Sequence, residues 1–148
     1  MEMPSVGSVM PNFRSQPVFS EVQKLYCAEG LPLFARPDAE ITDALLEVQF
    51  FAGRTYMLNE TISGMNFDWA ATTPYMEGTL LLLFSGAYIG FLPDHYAEEW
   101  VRNGCLRILA PERLTFEEMF QIAYPRNKPS RAAEALAVAI ARNVRKPH

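Results

Sequence analysis

An α/β fold is predicted for this 148-residue chain by three observations. Apolar helical segments alternate with short β-branched or aromatic runs through its middle, which is the pattern of helices layered on a sheet rather than of a bundle. Hydrophobic residues make up 49% and charged residues 20% of the composition, as in folded globular chains and unlike disordered ones. The length suits one domain, or two small lobes.

The elements follow in order. Residues 1–16 hold Pro4, Pro11, Ser and Gly with little periodicity and predict an irregular arm. Val18 to Ala28 is rich in β-branched and aromatic residues, and Leu25-Tyr26-Cys27 marks a strand. Gly30, Pro32 and Pro37 make a turn-rich connection. Thr42 is placed to cap a short helix through about Glu47, with Asp43 in its first turn. Val48 to Ala52 predicts a buried strand ending at Gly53. Leu58 to Met65 reads as loop, and Asn66 to Ala71 as a short strand.

Thr73 before Pro74 suggests an N-cap followed by the first helical position, with Glu77 in the first turn. Leu80 to Phe84 gives this helix its apolar run, and Ser85-Gly86 closes it. Tyr88 to Leu92 is the next strand. Asp94 is placed to cap a helix from His95 to Arg102, stopped by Gly104. Cys105 to Leu109 predicts another strand. Thr115-x-x-Glu118 fits a capping box, but the alternation of Phe120, Ile122 and Tyr124 favours a strand from about Met119 to Tyr124. Ser130 caps a last amphipathic helix with Ala133, Leu136, Ala137, Ile140 and Val144 on one face.

Composition and motifs exclude several classes. The formal charge of -4 and a pI near 5.2 provide no chain-wide basic field for nucleic acid. The basic tail, from Arg126 to Lys146, lacks aromatic interleaving and reads as a solvated helix face. Cys27 and Cys105 are too few for a disulfide scaffold or a structural zinc site and read as semi-buried free thiols of a cytoplasmic protein. No basic-then-apolar leader opens the sequence. The uncharged stretch from Gly78 to Pro93, 16 residues long, is too short to cross a bilayer. His95 and His148 form no catalytic constellation with the cysteines, and neither Glu98-Glu99 nor Glu117-Glu118 has a histidine at metal-ligand spacing. No enzyme activity, metal or cofactor is expected.

Binding chemistry concentrates in one region. Thr72 and Thr73 precede the unpaired N–H groups and positive dipole end of the Leu80 helix, which suit a carboxylate or similar anion. Gly53-Arg54-Thr55-Tyr56 follows an apolar strand and belongs at a carboxyl edge, where α/β sheets bind ligands. Arg54 is suited to pair with an anion and Tyr56 to wall it. The simpler readings are a Thr73 cap and surface-loop roles for Arg54 and Tyr56.

The run from Ser85-Gly86-Ala87-Tyr88-Ile89-Gly90 through Phe91-Leu92-Pro93-Asp94-His95-Tyr96-Ala97, with Met76-Glu77 and Leu80 to Leu83 before it, resembles the effector domain of LysR-type transcriptional regulators. Pro17 to Glu21, Leu25-Tyr26-Cys27 and Gly30-Leu31-Pro32-Leu33 resemble that family's first crossover. Phe120 to Pro125, Ser130 and the final helix resemble its return. The resemblance covers about Pro17 to Val144 and implies a periplasmic-binding-protein-like fold of type 2. It implies one complete lobe, two crossover strands and part of a second lobe. Residues 17–33 would be the first crossover and hinge, 34–109 the effector-binding subdomain, and 110–148 the return strand and C-terminal helix.

A small effector is implied near Thr72 and Thr73 and the loop Gly53 to Tyr56. Leu31 stands where members commonly carry His. The family's winged helix-turn-helix and most of its first subdomain are not found in the sequence, so a truncated sensor without direct DNA contact is expected. The apolar stripe of the last helix leads to an expectation of homo-oligomers. A dimerisation or interaction module of the same fold without an effector is the alternative.

Overall fold

The computed structural model describes residues 12–57, 59–126 and 130–144. Positions 1–11 of the expected arm, the basic residues Lys128, Arg145 and Lys146, and His148 lie outside these. The chain forms two compact units, one built from residues 22–117 and the other from the segments on either side.

The larger unit contains a mixed sheet. Strand β1 spans Phe13–Ala28, β2 Phe50–Arg54, β3 Asp68–Thr73, β4 Tyr88–Pro93 and β5 Leu106–Leu109, in the order β3-β2-β4-β1-β5. β2 runs parallel to β3 and β4, whereas β1 is antiparallel to β4 and β5. Helix α1 covers Asp43–Glu47, α2 Glu60–Ser63, α3 Met76–Phe84, α4 Asp94–Arg102 and α5 Pro111–Leu114. Each parallel connection passes through helical turns, as a parallel pair requires.

The sheet is covered on both faces. Leu25, Leu33, Leu46, Phe51, Ile89, Phe91 and Leu109 belong to one buried cluster, in which Phe51 stacks on Phe67 at 4.5 Å. Tyr26, Leu80, Leu83, Leu92, Ala97 and Leu106 form the other, beneath α3 and α4. Burial of each large apolar side chain contributes about 1.5–3 kcal/mol. Arg107 ties the connection after β1 to β5: its Nη1 donates to the carbonyls of Leu33, Phe34 and Arg36, and its Nη2 meets Asp38 at 2.6 Å. Few side chains other than Arg can satisfy so many acceptors at once.

In the smaller unit, β6 (Phe116–Pro125) pairs with β1, and Phe19 stacks on Phe120 at 4.8 Å. Helix α6 (Arg131–Val144) starts at Ser130, whose Oγ accepts the Ala133 N–H at 3.1 Å. Ala137 is buried in α6, as its stripe predicts, but Leu136 is 61% exposed.

Several local expectations are corrected. Phe13 to Gln16 belong to β1 instead of an irregular arm. The expected loop from Leu58 to Met65 contains α2, capped by Asn59 Oδ1 accepting from Ile62 N–H at 2.9 Å. Asp94 is the first helical residue of α4 rather than its cap, because β4 runs through Pro93 straight into the helix. The strand favoured over a Thr115 capping box is present and begins earlier, at Phe116, and the Thr115 hydroxyl donates to the Pro111 carbonyl at 2.6 Å. Cys27 is buried as expected of an inert thiol, but Cys105 is exposed.

Candidate functional site at the carboxyl edge

The parallel strands β2 and β3 end together. Their register sets Gly53 opposite Thr72 and Arg54 opposite Thr73, and the Thr55 N–H extends the pairing by donating to the Thr73 carbonyl at 3.2 Å. Two sequence segments predicted separately as ligand-facing therefore meet at one sheet edge.

The register shifts between Phe51 and Ala52, whose partners are Trp69 and Ala71. The extra residue, Ala70, is a bulge in β3. Because side chains alternate along a strand, one added residue exchanges the faces of everything after it. The bulge thus sets which way Thr72 and Thr73 point. Before it, the Trp69 ring lies over Gly53, filling the space that any side chain at Gly53 would occupy.

Thr73 differs from its predicted role. β3 continues through it, so its backbone is extended and engaged, and the N-cap position of α3 falls to Tyr75, which offers no side-chain cap. The Thr73 hydroxyl instead spans the turn. It donates to the Tyr75 carbonyl at 3.2 Å and accepts the Tyr75 N–H at 3.3 Å. Gly78 in the first turn of α3 lies so close to Thr73 that a methyl group there would overlap the hydroxyl. The first intrahelical bond is from Thr79 N–H to the Tyr75 carbonyl at 3.3 Å, so the N–H groups of Met76, Glu77 and Gly78 precede the helical ladder. Glu77 is the acidic residue of this turn.

Arg54 is almost fully buried, at 2% exposure. Its Nη2 donates to Gln23 Oε1 of β1 at 2.9 Å and approaches the Met57 sulfur at 3.6 Å. The guanidinium carbon stands 5.9 Å from the centre of the Tyr56 ring, a cation–π distance. Thr55, Tyr56 and Thr72 are exposed, Thr73 is half-buried and Gly53 is buried. The edge therefore carries a buried positive charge beneath reachable hydroxyls, a phenol and a helix N-terminus. Gln23, Met57, Trp69 and Gly78 were not among the predicted site residues. Gln23 stands between Glu21 and Lys24 in a strand of mixed polarity, so the sequence carried no local signal that set it apart.

Comparison with known proteins now identifies the architecture. The family described as the LysR substrate binding domain matches residues 4–145. The chain belongs to that family. Its fold is the mixed-sheet, crossover-strand arrangement of LysR effector domains, and the family is one of transcriptional regulators rather than enzymes.

The chain is 36% identical over 103 residues to the HTH-type transcriptional activator BauR of Pseudomonas aeruginosa, a match covering 68% of this chain and 33% of BauR. It thus spans about a third of that relative. The bromide-bound regulatory domain of HypT from Salmonella typhimurium superposes with a TM-score of 0.66 at 18% identity, over 87% of this chain and 63% of that one. The CrgA regulatory domain from Neisseria meningitidis gives 0.67 at 18% identity, over 91% and 70%.

Among the described residues no helix is long and apolar enough to cross a membrane, and no group of three or more His, Cys, Asp or Glu side chains is placed to hold a metal.

Proposed function

We propose that this chain senses a small anionic effector at the carboxyl edge of β2 and β3, as part of a cytoplasmic transcriptional regulator. The supporting observation is the register that pairs Arg54 with Thr73 beside the first turn of α3. An effector carboxylate accepts hydrogen bonds from the N–H groups of that turn and from Thr72. The Arg54 charge, held in place by Gln23, favours the anion from below. Tyr56 provides an amphipathic wall. Arg54 is too buried to be the first point of contact, so it acts mainly through its field, which low surrounding polarity strengthens.

In this reading the domain makes no direct contact with DNA and self-associates. Differential affinity of the effector for alternative arrangements of a larger regulator carries the signal. A thermal-shift panel of short aliphatic and aromatic carboxylates tests the proposal, since a ligand that binds only the folded state raises Tm by mass action. At least one carboxylate should raise Tm, and its amide or alcohol analogue should not. A panel in which no acid shifts Tm would favour an interaction module without an effector.

A further inference from the structure

The carboxyl edge carries a charge balance that any occupant must match. In the segments that build it, residues 53–57 and 72–79, Arg54 is the single cation and Glu77 the single acid. The two stand in opposite surroundings. Arg54 is buried and tied to Gln23 and Met57, whereas Glu77 is exposed in the first turn of α3. Burial, and then the Glu77 carboxylate, raise the Tyr96 phenol of α4. The Glu77 charge is thus felt at the start of the neighbouring helix.

An acid in a first helical turn ordinarily complements the positive end of the helix. That role makes Glu77 a competitor for any anion at the same end. The exposed acid offsets the buried cation, which leaves a ligand the partial positive charge of α3 and the N–H groups of Met76, Glu77 and Gly78. One carboxylate can use these donors. A second carboxylate on the same molecule would be desolvated without donors of its own and would lie in the field of Glu77. Tyr56 and Tyr75, each two residues beyond the paired Arg54 and Thr73, are exposed, uncharged and largely apolar, which suits a neutral ligand body.

We infer that Glu77 is a specificity-determining residue of this site, and that it restricts the effector to monocarboxylates by disfavouring dicarboxylates and other dianions. This rests on the anion site proposed above and narrows its ligand class. Amide-detected titration of the full 148-residue chain tests it with two length-matched pairs, butyrate against succinate and hexanoate against adipate. In the parent at low salt, each monocarboxylate should bind at least about five-fold more tightly than its dicarboxylate partner. Glu77→Gln should tighten the monocarboxylates by about two- to five-fold and the dicarboxylates by about four- to twenty-five-fold, because doubling the ligand charge squares the ratio. Glu77→Asp keeps the charge and should keep the parent's selectivity. A residue that only stabilised the helix would shift Tm in Glu77→Gln and leave the selectivity alone.

Added salt should narrow the gap in the parent. Dicarboxylates that bind the parent as tightly as monocarboxylates, with the Met76 to Gly78 amides shifting, overturn the selection while the anion site stands. A gap that survives unchanged in Glu77→Gln overturns the role of Glu77. Carboxylates that leave those amides unmoved overturn the site itself, and the selection with it.

Discussion

The Thr73 side chain fills the space where a Cβ at Gly78 would stand, locking the end of β3 against the first turn of α3. In an exposed helix, replacing Gly by Ala stabilises by roughly 0.5–1 kcal/mol. Here the sign should reverse. Gly78→Ala forces Thr73 away and should destabilise by about 1–3 kcal/mol, the usual range for overpacking. Gly78→Ala combined with Thr73→Ala should recover most of the loss. Urea unfolding of the four proteins in the cycle measures the coupling, which should exceed about 0.5 kcal/mol.

Gly53 and Trp69 form a similar pair on the other side of the bulge. Gly53→Ala should displace the indole from Phe51, with which it makes an edge contact at 4.9 Å. Destabilisation of about 1–3 kcal/mol is expected, with a red shift of tryptophan emission as the ring gains solvent. Trp69→Leu should reduce the penalty of Gly53→Ala. An unchanged emission spectrum in Gly53→Ala would show that the ring does not cover this glycine.

Arg54→Met tests the charge beneath the edge. The substitution keeps much of the side-chain volume but removes a charge-assisted bond to Gln23. A cost of about 1.5–3 kcal/mol is expected from chemical denaturation. Any carboxylate that raises the Tm of the parent should lose most of its effect in this variant. Glu77→Gln should do the opposite. Removing a negative charge from the same helix end should tighten carboxylate binding by about two- to five-fold at low salt, corresponding to the 0.3–1 kcal/mol expected of a charge there.

The two cysteines should differ in reactivity and in their effect on stability. Burial pushes the Cys27 thiol up from 9.0 to about 11, only partly offset by the nearby Arg107 charge. The folded state then holds its proton more tightly than the unfolded state does. The resulting stability is complete below the unfolded value and is lost as pH rises from about 9 towards 11. Burial, followed by the nearby Asp94 charge, also raises the Tyr26 phenol, which adds to the decline at still higher pH. Cys27→Ala should flatten the part of the curve nearest pH 9 to 11. Iodoacetamide at neutral pH should modify exposed Cys105 well before buried Cys27.

Periodicity and punctuation made much of the fold legible. Thr42 and Ser130 cap their helices through the expected hydroxyls, and the apolar runs around Phe51, Ile89 and Leu25 are buried strands. Errors arose where two local signals compete. Thr73-Pro74 reads as a cap and first turn in isolation, yet pairing with Arg54 extends β3 through Thr73 and moves the helix start. Asp94 likewise has a cap residue's chemistry, but β4 leads directly into α4. For the candidate site, chain-local signals pointed to both segments. The bulge at Ala70, the Trp69 cover and the Gln23 partner depend on which strands are neighbours, and nothing in a local pattern specifies that. Leu136 is exposed beside a buried Ala137 because only a narrow strip of α6 finds a neighbour.

The central claim is that a small anion binds where β2, β3 and α3 meet. Its most direct test is a ¹H–¹⁵N titration of the chain with the carboxylate that gives the largest thermal shift. The amides of Met76, Glu77 and Gly78 should move downfield and saturate together with those of Thr72 and Thr73, and the same shifts should be lost in Arg54→Met. Saturable shifts confined to other residues, with Met76 to Gly78 unmoved, would contradict it.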